Sequence, residues 1–80
     1  MKVSQAVAER IRQILAEKKM TQYRLEMNFG LSKGTLVSLM YARYKGVNLT
    51  TLIVVIRTLG VSVEGFFASP LFDEENLDMD

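Results

Sequence analysis

Hydroxyls and cations, rather than acid–base pairs, are the chemistry-bearing side chains of this 80-residue sequence. They crowd into one stretch, where Ser32, Lys33, Thr35, Ser38, Arg43, Tyr44 and Lys45 follow one another closely. Such groups donate hydrogen bonds and neutralise anions. The sequence holds no His and no Cys. The commonest general base, the commonest transition-metal ligand and the thiol nucleophile are therefore all missing. With no convergent carboxylate pair and no Gly-rich phosphate loop, the chain reads as a binding protein and not an enzyme, with no cofactor and no metal.

The net charge of +1 conceals an asymmetry. Residues 1–72 carry all ten Lys and Arg against only Glu9, Glu17, Glu26 and Glu64. Residues 73–80 carry Asp73, Glu74, Glu75, Asp78 and Asp80. A basic body favours a polyanionic partner. The acidic end lacks the Gly-centred loop of a calcium hand and reads as a loose, solvated tail. The tethered acidic charges could also compete with a polyanion for the basic face. No apolar run approaches the roughly 18–20 residues that span a bilayer, so no membrane partner is expected. The opening Met1-Lys2-Val3-Ser4-Gln5 leads into a charged helical pattern and not a signal-peptide core. Absence of cysteine suits the cytoplasm.

Helices must position these groups. Val3, Val7, Ile11, Ile14 and Leu15 recur at three- and four-residue spacing, which predicts an amphipathic helix over about 5–18 with Ser4 as its cap. Four more helix starts share one signature: a polar residue preceded by an apolar one and followed by another four positions on. The sets are Met20/Thr21/Leu25, Leu31/Ser32/Leu36, Val47/Asn48/Leu52 and Val61/Ser62/Phe66. The polar side chain can accept from the orphan N–H groups of the first turn, and the apolar pair staples the chain entry. Helices are expected over about 22–28, 33–42, 49–59 and 63–68, giving an all-α chain. The β-branched run Thr50–Ile56 reads as a strand by propensity. It lacks alternation and a partner, and Asn48 and Gly60 bracket it as helix signals. Met20, Met27 and Met40 read as core filling.

Two short helices joined by a tight turn at Gly30 form a helix-turn-helix unit. The sequence resembles the phage-repressor/Cro-like (XRE) family of helix-turn-helix regulators from about Ile11 to Phe67. The resemblance rests on Thr21-Gln22 with Leu25, Gly30-Leu31-Ser32, Thr35-Leu36 with Ser38, Thr51-Leu52, and Leu59-Gly60-Val61-Ser62-Val63 with Phe66-Phe67. It implies a compact five-helix bundle, a lambda-repressor-like DNA-binding domain over residues 1–69, with residues 70–80 as an acidic C-terminal tail. It departs at Glu26, where the family usually has Ala, and at Gly34 in the first turn of the recognition helix.

The resemblance implies sequence-specific binding of double-stranded DNA by a transcriptional regulator, a repressor, with the second helix of the unit in the major groove. Lys33, Thr35, Val37 and Ser38 are then expected at the bases. Gln22, Arg24, Ser32, Gly34, Arg43, Tyr44 and Lys45 are expected at the phosphates. A homodimer is expected, with Ile53 and Val54 beside the Phe66–Phe72 region as its surface. The alternative is a protein-interaction module on the same fold, antitoxin-like or an adaptor subunit.

Overall fold

The computed structural model describes residues 1–30, 32–43 and 46–78. Five helices follow in order: α1 (Val3–Glu17), α2 (Gln22–Phe29), α3 (Lys33–Met40), α4 (Leu49–Leu59) and α5 (Val63–Phe67). Two single 3₁₀ turns, Pro70–Phe72 and Glu74–Asn76, complete the chain. α1 packs on α3, α2 on both α3 and α4, and α4 on α5. The bundle measures 34 × 23 × 19 Å. No extended ladder occurs among the described residues, and the β-branched run is helical as expected.

The four expected caps all form. Thr21 accepts from the Arg24 N–H at 3.1 Å and Ser32 from Thr35 at 3.2 Å. Asn48 accepts from Thr51 at 3.0 Å and Ser62 from Gly65 at 2.9 Å. Each such cap contributes about 1 kcal/mol. Leu25, Leu36, Leu52 and Phe66 are buried on the core side of the four starts, and Met20, Val47 and Val61 pack against that core. Leu31, the remaining staple residue, lies outside the described residues. On α4, Leu52, Val55, Ile56 and Leu59 are buried while Ile53 and Val54 are half-buried.

Three expectations need correction. α1 begins at Val3, so Ser4 is not its cap but a buried first-turn residue; the Gln5 side chain instead accepts from the Lys2 N–H at 3.0 Å. Met27 is not core: it is 67% exposed, since only one side of α2 meets the bundle. The acidic end is not loose through residue 78. Phe72 closes over Phe66 and Phe67, with ring centroids 5.9 and 4.8 Å away. The first 3₁₀ turn lies on α1, and the Asp78 carboxylate accepts from the Met1 ammonium at 2.9 Å. The apolar Leu71 and Phe72 draw the segment in, and the charges remain outside.

α3 ends at Met40, two residues before the expected end. Ala42 there adopts φ 51° and the Arg43 N–H returns to the Ser38 carbonyl at 3.0 Å. This is a Schellman closure, usually made by Gly. A side chain in the left-handed region costs about 1 kcal/mol or more. Ala42→Gly is therefore expected to raise stability in urea unfolding by roughly 0.5 kcal/mol, the strain relief less the entropy that Gly adds to the unfolded chain; a loss would contradict the closure. Asp78 offers a second check. The adjacent ammonium, by hydrogen bond and charge, holds its pKa below the ordinary 3.8. A depressed carboxylate stabilises the fold above its unfolded value and loses that contribution as pH falls through the folded one. Acidification through and below pH 3.8 should thus shift the amide resonances of residues 76–78 before those of the core.

Candidate nucleic-acid interface

The turn between α2 and α3 sets the interface. Gly30 ends α2 at φ 78° with no atom near the place of a Cβ, so conformation and not space demands glycine. Ser32 then opens α3. Leu36 and Met40 bury one stripe of α3, and the opposite side stays accessible. From α1, Arg12 donates to the Met40 carbonyl and lies over the Tyr41 ring, 5.8 Å from its centroid. A cation at the negative end of the helix pins the far end of α3. Nothing in the local spacing of α1 marked Arg12 for this role, because its partner is 28 positions away.

Lys33 is exposed at the leading end of α3, and Thr35, Val37 and Ser38 are half-buried. Lys33 and Val37 lie one turn apart on one row; Gly34 and Ser38 share the next. Thr35 is engaged locally, its hydroxyl 2.7 Å from that of Ser32. Gly34 leaves open space where a side chain would stand.

Beside α3 runs a groove of about 450 Å³. It brings together Ser32, Gly34, Thr35, Ser38 and Arg43 of the expected set. It also gathers Ser4, Gly46, Asn48 and Thr51, which the sequence reading did not assign to the site. Asn48 was legible only as a cap, and Ser4 only as a helix start. Gln22 and Arg24 lie on α2, outside this groove. Tyr44 and Lys45 lie outside the described residues.

Glu26 finds its partner on its own helix: the Gln22 amide donates to its carboxylate at 3.3 Å. The pair occupies the group expected to grip phosphate.

Hydroxyls, an exposed Lys and helix-start N–H groups on one accessible helix, with an exposed Arg just beyond its end, suit a nucleic-acid backbone and base edges. Residues 10–68 match the Cro/C1-type helix-turn-helix DNA-binding domain. The chain belongs to this family. It is a DNA-binding transcription regulator of the Cro/C1 type, and the match covers all five helices from the middle of α1 onward. No curated protein and no solved structure matches the chain. No helix among the described residues is long and apolar enough to cross a membrane.

Glu26→Ala restores the residue usual in the family and frees the Gln22 amide. Its expected effect is a several-fold gain in affinity for duplex DNA, about 1 kcal/mol for one freed charge-assisted contact and one removed repulsion, shrinking as salt rises. Unchanged affinity in a fluorescence-anisotropy titration would show that Gln22 does not touch phosphate.

Proposed function

We propose that this Cro/C1-type regulator binds a specific double-stranded DNA sequence with the leading end of α3 in the major groove. Lys33 donates to guanine N7 and O6, Val37 meets a thymine methyl, and Ser38 and Thr35 complete the base-facing set. Gln22, Arg24, Ser32, Gly34, Arg43, Tyr44 and Lys45 hold the backbone and set the register. The observation that carries this reading is the exposure of Lys33 and the accessibility of Ser38 on a helix braced by α2 on one side and by Arg12 at its end. Two copies reading half-sites about one helical turn apart are the usual arrangement of such units. The half-buried Ile53 and Val54 of α4, with the exposed Phe67 of the Phe66–Phe72 region, are the apolar surface proposed for a homodimer. Phe66 and Phe72 are turned onto their own body. A dimer so placed acts as a repressor by occupying its site.

A protein-interaction role on the same fold is favoured by one feature. Tyr23 and Met27 are 69% and 67% exposed, one turn apart on α2. Salt separates the readings, because phosphate neutralisation makes log affinity fall steeply with log salt.

Selection of bound sequences from random duplexes, followed by salt titration of the winner, tests the proposal. An inverted-repeat motif is expected. Lys33→Ala should lose about 1–3 kcal/mol and relax one base position. Arg43→Ala should weaken all sequences alike and lower the salt slope by about one. Selection that enriches nothing, or a slope near zero, would turn the assignment toward the protein partner.

A further inference from the structure

We propose that the groove beside α3 is a phosphoryl-binding site with Ser4 as its innermost donor. Three helices begin at this groove. Ser4 belongs to the first turn of α1, Ser32, Gly34 and Thr35 to that of α3, and Asn48 and Thr51 to that of α4. Each helix start carries unpaired N–H groups and about half a positive charge. None of the three has an acidic residue in its first turn. Among the lining residues the charged side chain is Arg43, a cation. Converging dipoles, hydroxyls and a guanidinium with no carboxylate favour an oxyanion.

Ser4 points to the ligand independently. It is only 5% exposed, yet its hydroxyl has no hydrogen-bond partner among the described residues, and it lines the groove. No buried polar side-chain atom among the described residues lacks a partner, so the small exposed part of Ser4 is its hydroxyl, open to the groove. Its neighbours on α1, Ala6, Val7 and Ala8, are all apolar and buried. A Ser at this place serves the groove rather than the core. The volume of about 450 Å³ exceeds a bare phosphate and leaves room for the group that carries it. That carrier is either a small phosphorylated molecule or the sugar of a DNA backbone. The site itself does not require that α3 read bases.

The test begins with inorganic phosphate titrated into the full chain at low ionic strength, followed by amide NMR. Saturable shifts centred on Ser4, Gly34 and residues 49–51 are expected. Ser4→Ala should weaken binding about tenfold, the loss of one hydrogen bond to a charged group. It should leave the unfolding midpoint unchanged, since the hydroxyl has no partner within the fold. Asn48→Asp keeps the α4 cap, sets a carboxylate in the groove and should abolish the shifts. Absence of saturable shifts, or equal phosphate affinity in both variants, overturns the site. Ribose 5-phosphate and a duplex then identify the carrier. A parallel loss for the duplex assigns the phosphoryl group to DNA; loss for ribose 5-phosphate with duplex affinity unchanged assigns it to a small molecule. A chain that binds phosphate but no duplex keeps this site and overturns the DNA-reading proposal instead.

Discussion

A side-chain oxygen accepts a backbone N–H of its own helix's first turn at the start of α2, α3, α4 and α5. The bundle depends on this repeated bond. Helices of 8, 8, 11 and 5 residues are too short to persist alone in water. The cap fixes where each begins. The apolar residues on either side of the cap then decide which face turns inward. Leu25, Leu36, Leu52 and Phe66 share one core because each stands at the same offset from its cap. Burial of such side chains contributes about 1.5–3 kcal/mol each, more than the cap itself. The cap determines register, and burial supplies most of the stability.

The same bonds shape the candidate interface. A cap consumes one orphan N–H per helix and leaves others free. Where helix starts face the interior, those groups are a burden. In this fold residues from the starts of α1, α3 and α4 line one open groove. The helix ends are handled differently. Arg12 meets the Met40 carbonyl at the end of α3, and the Lys18 ammonium meets the Gly60 carbonyl at the end of α4. Arg10 holds the Phe66 and Gly65 carbonyls at the end of α5. Two cations of α1, and Lys18 just past its end, thus serve helix C-termini and are partly withdrawn from the charge offered to a polyanion. In the proposed interface, Lys33 and Arg43 would therefore carry more than the total basic charge suggests.

Much of this was legible along the chain. Caps, staples and the stop at Gly30 are local, involving residues within five positions of one another, so their spacing alone determined four helix starts and the turn between α2 and α3. The stripe Leu52, Val55, Ile56, Leu59 likewise placed α4 against the core despite its β-branched composition. The order of these signals carried the family. Lys33 at the open end of α3 followed from the cap at Ser32.

Long-range partners were not legible, because spacing carries no record of which turn of one helix meets which turn of another. Tertiary packing decided that Arg12 reaches Met40, that Ser4 sits under a groove rather than capping a helix, and that Phe72 folds the acidic segment back to Met1. It also decided that Ala42 would end α3 early, since the closure requires a left-handed residue whatever its propensity. The groove itself exists only because three helix starts, far apart in sequence, converge in space. No single segment could have announced it.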